Sequence, residues 1–529
     1  GYWYGGTVTS GCMSGMVTGN ITTRINKGAS VHTVIGGSDD GGVNGNTNVH
    51  VYGTILKDKY QKANRFLSGA GSVFGGGYLG SSAAIDSTDV SGTASVYVYE
   101  GSDVQGDVYG GGLTARVSGK THVIVSGTVR GDVYGGSWLH EMSNQYGEIE
   151  LGYVGDTYVE LNGNASAQNV YGGGRIGNVH GNSIVLLKEN AKVNNVYGTG
   201  SAYTTFYSGG KEYTFGPIDT NTKGDVTIRL QDSAVVDDTI YGYEIVNIED
   251  TPTKLLTGRA DVNFINSNND DIFKRVENAD LVRVTEKSNV MIDNDYKNNE
   301  QLVNVSDLVI DGSAALKLGA DAHILGNYQG DAGKSATLII PAGKCLTADG
   351  TVTDLTNISI YDLNGIVPEK AQIYVISGAG STKENGDFSW IDERNNVHME
   401  WNKLSASGKE KEGKKTMWWL VNGPSSQAPD PSPTPSPTPS DTPSGGGHGG
   451  HGGGSSSGSK KSSTTTTSGP AAEPTEPVAP VEPEPQPVVP EEGLPKTGED
   501  PMNMPMAALA VGMMAAAYVL MTGRKKTEE

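Results

Sequence analysis

Along the first half of the chain, apolar side chains recur two residues apart in short bursts. Val96 and Val98, Val123 and Val125, Val159 and Leu161, Val185 and Leu187, and Ile228 and Leu230 form five such pairs. Each is led, four residues before its first member, by a glycine: Gly92, Gly119, Gly155, Gly181 and Gly224. A spacing of two is the period of a β-strand, so Val96 and Val98 fall on one face and Tyr97 on the other. After each burst come polar turn residues and then small or apolar ones, as at Ala165 and Ala167, Ala191 and Val193, and Ala234 and Val236. The pattern predicts short strands separated by tight turns.

A second mark follows each burst, an apolar pair running into glycine. It reads Tyr4-Gly5-Gly6, Val34-Ile35-Gly36-Gly37, Val73-Phe74-Gly75-Gly76-Gly77, Val108-Tyr109-Gly110-Gly111-Gly112, Val133-Tyr134-Gly135-Gly136, Val170-Tyr171-Gly172-Gly173-Gly174, Val196-Tyr197-Gly198 and Ile240-Tyr241-Gly242. The two marks alternate, so one unit reads strand, turn, short strand, turn, strand, glycine turn. Extra length falls in polar inserts such as residues 139–147 and 201–222, which belong on a surface. A unit this small cannot bury its own apolar face and gains a core only by stacking on its neighbours. Stacking in register would align Val96, Val123, Val159, Val185 and Ile228 in one internal column, and Tyr109, Tyr134, Tyr171, Tyr197 and Tyr241 in another with their rings stacked. The glycines are expected to supply a positive φ at the sharp corners of each layer.

Residues 1–250 therefore read as a parallel β-solenoid, and the pattern resembles the right-handed β-helices of bacterial surface proteins. The fold class implied is all-β. A strand ending in Gly-Gly is also similar to the kelch mark of β-propellers, but a kelch blade takes about 50 residues, and the marks here come too often for that. Past residue 250 the pattern lapses through Asn266-Ser267-Asn268-Asn269-Asp270-Asp271 and then resumes, with strands predicted at Leu308-Val309-Ile310, Ala315-Leu316-Lys317-Leu318, Leu338-Ile339-Ile340 and Ile373-Tyr374-Val375-Ile376. Residues 251–423 are read as further coils. Trp390, Trp401, Trp418 and Trp419 are expected to close the open end of the stack, with sugar stacking as their alternative use.

Composition changes at about residue 424. Residues 424–493 hold Pro431-Ser432-Pro433-Thr434-Pro435, a Gly/His/Ser stretch and a Pro/Glu-rich stretch, none of which can build a core, so this segment is expected to be a disordered, wall-spanning stalk. His448 and His451, in the glycine-rich run, make a poor metal site. Residues 494–529 carry Leu494-Pro495-Lys496-Thr497-Gly498, an apolar run over residues 502–521 and the cations Arg524, Lys525 and Lys526. A run of that length can span a bilayer as a transmembrane helix, and the cations after it prefer the cytoplasmic side. Pentapeptide, run and basic end in this order resemble the LPxTG sorting signal of Gram-positive surface proteins. The resemblance implies that a sortase cleaves after Thr497 and joins it to peptidoglycan, so the protein is secreted, membrane-spanning only before cleavage, and finally fixed in the cell wall. Sortase recognition would use Leu494, Pro495, Lys496, Thr497 and Gly498.

Gly reaches 75 of 529 residues, in keeping with a chain that turns often. Acidic residues outnumber Lys and Arg by 60 to 39, for a net charge of -21, which argues against nucleic acid as a partner. Cys12 and Cys345 are too few for a disulfide framework. The chain starts at Gly1, inside a repeat and without an export signal, and is read as the C-terminal part of a longer protein.

Catalytic chemistry finds little footing. Asp39-Asp40, Asp237-Asp238 and Asp270-Asp271 lie in turns or inserts at no spacing that suits paired-carboxylate catalysis. Residues 36–42 faintly resemble a calcium-binding glycine-rich repeat, but once only and without its nine-residue period. No catalytic residue, cofactor or metal is assigned. The expected function is that of a wall-anchored adhesin or structural stalk presenting its coils to an unidentified host or microbial surface ligand. The alternative is a carbohydrate-active β-helix enzyme, a polysaccharide lyase or hydrolase.

Overall fold

The computed structural model describes most of the chain between residues 6 and 421, with its longest breaks at 58–70, 79–88, 294–300, 362–371 and 380–387. The stalk at 424–493 and the sorting signal at 494–529, with its apolar run, lie outside the described residues. Among the described residues every regular element is a strand.

The strands stack in parallel with matched side chains. Val96 pairs with Val123, Val123 with Val159, Val159 with Val185 and Val185 with Ile228, and the ladder runs on to Val262, Val282 and Leu308. The expected column is thus present, and its five members are each 0% exposed. Burying one Val or Ile side chain is worth about 1.5–3 kcal/mol as an upper estimate. A coil contributes one strand to each of three ladders, as Thr121–Val125, Thr128–Val129 and Val133–Tyr134 do. A single residue bridges a fourth, through Val90, Val117, Val154 and Val179. This large parallel arrangement is compatible with a β-solenoid. Along the long-strand ladder the step between paired residues varies from 20 residues, Val262 to Val282, to 47, Val49 to Val96.

Three of the coils carry extra length as an antiparallel hairpin. Glu141–Asn144 pairs with Gly147–Glu150, Thr204–Ser208 with Lys211–Phe215, and Ile245–Ile248 with Thr251–Lys254. All three leave the coil in the arm between the tyrosine strand and the bridging residue, Val154, Thr222 or Leu256. Polar corners are held by side-chain ladders. Asp156 Oδ1 accepts from the backbone N–H of Asn182 at 2.9 Å, Asn182 Oδ1 from that of Asp225 at 2.8 Å, and Asp225 Oδ1 from that of Arg259 at 2.9 Å. Each carboxylate or amide thus satisfies a backbone donor of the next coil at a corner where the strand ladder is broken.

Two expectations need correction. Neither the glycines after the tyrosines nor the leading glycines have a positive φ. Left-handed positions recur instead in the turn after the long strand, at Gly28, Gly101 and Gly163, with Glu189 and Asp232 taking the same conformation two coils in a row, and they occur singly elsewhere, as at Gly15, Gly19, Gly71 and Gly152. The repeat glycines are required by close approach. A Cβ on Gly110 would lie 2.3 Å from Gly135 O, one on Gly135 2.2 Å from Gly172 O, and one on Gly198 2.3 Å from Gly242 O.

The tyrosine column is the second correction. Its rings stack as expected, at 4.9 Å for Tyr109 on Tyr134, 4.6 Å for Tyr134 on Tyr171, 4.4 Å for Tyr171 on Tyr197 and 4.6 Å for Tyr197 on Tyr241, with Phe74 heading the row. Yet strand alternation sends the preceding Val into the main core and the Tyr to the other face. The rings form a separate apolar compartment roofed by Leu113, Trp138 and Ile176 from the arms. Arg175 enters it and donates to Asp107 Oδ2 and Tyr109 Oη, both at 3.2 Å. Burial opposes that charge, but Tyr109, Tyr134 and Asp107 hold the guanidinium protonated.

Beyond residue 250 the tyrosine wall and the long-strand wall fuse. Strand Arg275–Thr285 pairs through its first residues with Thr239–Tyr241 and through its later ones with Ala260–Ser267. At the joint Asn278 and Asn304 have φ of +55° and +50°, and Asn304 Nδ2 donates to Asn278 Oδ1 at 3.0 Å. Pairing turns antiparallel at the last strands, where Thr416–Val421, carrying Trp418 and Trp419, lies between Gln372–Ala379 and Leu404–Lys409.

Candidate functional site

The tyrosine ladder is covered for part of its length only. Leu113, Trp138 and Ile176 roof the rings as far as Tyr171, but the next arm carries the small residues Ser201 and Ala202 in place of a large apolar one. Tyr109 and Tyr134 are about as buried as any side chain in the protein, at 1% and 2% exposed, while Tyr197 and Tyr241 are only half-buried. The ladder therefore surfaces at its last two rungs.

The repeat also changes there. Where earlier units place only Gly, Ser or Thr in the second and third positions after the apolar pair, this one reads Tyr241-Gly242-Tyr243-Glu244. Glu244 sits at a position held by glycine, serine or threonine in those units, its backbone N–H donating to Thr199 Oγ1 at 3.1 Å. In the following coil the residue paired with Tyr241 is Glu277 instead of an aromatic one, because the fused strand has begun. Tyr197, Tyr241, Glu244, Glu277 and Ile245, with the Asn278 and Asn304 corner, enclose a cleft of about 360 Å³, within the range of small-molecule sites.

The two carboxyls of the cleft are held differently. Glu277 Oε2 lies 2.9 Å from Arg275 Nη2 in an ion pair. Glu244 is largely buried, one of its oxygens has no hydrogen-bond partner in the protein, and burial lifts its pKa to about 7 against a single backbone hydrogen bond from Ala202. Neighbouring titratable groups are phenols: Glu244 pushes up the pKa values of Tyr171 and Tyr197, both already raised chiefly by burial. Ile245, on the rim, is 40% exposed, and Tyr203 is 38% exposed in the arm of the preceding coil.

A carboxyl whose pKa rises on folding costs nothing below its unfolded value of about 4.5 and progressively more as pH climbs to about 7. The shift corresponds to about 3 kcal/mol above pH 7. Glu244→Gln should therefore melt at a higher temperature than the wild type at pH 8, by an amount equivalent to about 2 kcal/mol, and at the same temperature at pH 4.5. A difference that does not change with pH would mean that Glu244 is ionised in the native protein throughout.

The residues singled out in the sequence lie elsewhere. Leu494 to Gly498 fall outside the described residues, as do His448, His451, Asp40, Asp270, Asp271 and Trp401. Asp237 pairs with Lys192 at 3.1 Å on the surface. Trp390 lies on strand Phe388–Ile391, opposite Ile360 in the parallel ladder. Among the described residues no three His, Cys, Asp or Glu side chains come together as a metal site, and no helix is long and apolar enough to cross a membrane. Glu244 and Glu277 escaped notice because they are 33 residues apart, 244 to 277, and only the stacking of coils joins them. The available signal was the large pair Tyr243-Glu244 where earlier units carry only Gly, Ser or Thr. Comparison with known protein families, curated proteins and solved structures finds no match to this chain.

Proposed function

We propose that the protein is a surface protein joined to peptidoglycan by a sortase through Thr497, with an ectodomain that winds as a right-handed parallel β-helix and acts as an adhesin or structural stalk. The observation that carries the reading is the order of parts in the tail: Leu494-Pro495-Lys496-Thr497-Gly498, then an apolar run, then Arg524, Lys525 and Lys526. Each part has a physical task. The run halts export in the bilayer, the cations keep its end inside, and the pentapeptide is left outside for the sortase. The right-handed sense follows the general handedness of crossovers between parallel strands. The stalk at 424–493 sets the reach, on the order of 200 Å where proline keeps it extended at about 3.1 Å per residue.

Replacing Thr497 by Ala removes the residue that would carry the thioester. The variant should stay membrane-held or be released, and should be extractable by boiling detergent. Should it come free only after muralytic digestion, as the wild type is expected to, the sorting assignment is wrong.

A further inference from the structure

We propose that the cleft at the end of the tyrosine ladder binds a neutral saccharide unit, seated against Ile245 and the edges of Tyr197 and Tyr241 and hydrogen-bonded by Glu244, Glu277 and Asn304. This extends the adhesin part of the reading above by naming the class of ligand. The chemistry of the cleft does not depend on the wall anchor, so either idea can fail alone.

The inventory of hydrogen-bonding groups favours a polyol. The phenols of Tyr197 and Tyr241, both half-buried on the cleft wall, can each donate and accept. Asn304 gives one Nδ2 hydrogen to Asn278, and its second hydrogen and its carbonyl oxygen remain as donor and acceptor on an exposed side chain. Two carboxyls complete a set that both donates and accepts, which a ring of hydroxyls can satisfy and a purely cationic or purely anionic ligand cannot.

Charge points the same way. Two glutamates alone would suit an ammonium ion, but Glu277 carries Arg275 as its counter-ion, and Glu244 is held mostly neutral at slightly acid pH by burial. A cleft with little net charge gives an ammonium ion scant return for its lost hydration. An anion would face two carboxyl groups. The exposed Ile245 and the ring edges offer the apolar contact that the C–H face of a sugar takes up, and aromatic edges are suited to ligands with one apolar and one wet side. The break in the repeat adds weight: Tyr243 and Glu244 replace the small residues of earlier units in the stretch where the ladder has also lost its roof.

The test uses the full chain at pH 6, with maltohexaose, cellohexaose and chitohexaose as neutral probes and butylammonium as a cationic one, read by calorimetry. At least one hexaose should bind, Tyr241→Ala should weaken it tenfold or more, and Ile245→Glu, on an exposed rim position that leaves the fold intact, should weaken it at least fivefold. The proposal is overturned if no hexaose binds, if both variants bind as the wild type does, or if butylammonium alone binds and loses affinity in Glu277→Gln. Saccharide binding by a chain whose Thr497→Ala variant remains wall-linked would leave this inference standing while the sorting assignment falls.

Discussion

Val185→Asp should cost the protein several kcal/mol and lower its unfolding temperature more than any other single change considered. Val185 is 0% exposed and lies between Val159 and Ile228 in the central column, so the new carboxylate would have neither water nor a partner. Neighbouring coils share that wall, and the damage should extend to the two ladders on either side. Thr22→Asp provides the comparison. It stands in a strand of the same ladder but faces solvent, and should cost under about 0.5 kcal/mol. If the two variants melt together by hydrogen exchange and circular dichroism, the column is not a dry core.

Gly135→Ala should be nearly as damaging, although it adds one methyl group. The new Cβ would lie 2.2 Å from Gly172 O and 3.0 Å from Thr157 Cβ and Val159 Cγ2, atoms fixed by the next coil. Backbone cannot yield there without opening the ladder, so a loss of about 3 kcal/mol or more is expected. Gly101→Ala separates the two reasons for a glycine. Gly101 has a φ of +80° and nothing within 4 Å of the new methyl, so it should lose only about 1–2 kcal/mol for the left-handed conformation. A larger loss at Gly101 than at Gly135 would restore positive φ as the ground for the repeat.

These glycines show where reading the sequence stopped short. Strand periodicity sufficed to align Val96 with Val123 and Tyr109 with Tyr134, because a period of two and a repeated mark leave only one register that buries the valines. It could not tell why Gly135 is glycine, since a left-handed corner and a crowded one look alike in one dimension. Nor could it place the tyrosines. The alternation that puts Val133 inside puts Tyr134 outside, and only the arms carrying Leu113, Trp138 and Ile176 turn that outer face into a second interior. Lys188 shows the same limit: it directly follows strand Ser183–Leu187, and its ammonium reaches back one coil to Glu160 at 2.9 Å, a pairing that only the stack creates. The cleft was hidden for a related reason, because Glu244 and Glu277 matter as departures from the repeat, and a search for repeats discards departures.

The hairpins have a consequence for how such a chain can change over generations. Each is inserted in an arm whose two ends, a tyrosine rung and a bridging residue, are pinned by the coils above and below. Lengthening an arm costs mainly loop-closure entropy, which grows only with the logarithm of length, by about 0.6 kcal/mol per doubling. The short arm between Tyr171 and Val179 and the long one between Tyr197 and Thr222 thus serve the same stack at nearly the same expense. Insertion and deletion in the arms should leave the stack standing, while the buried valine and close-packed glycine positions tolerate little change. The outer face of the stack can in this way be rewritten without a change of fold.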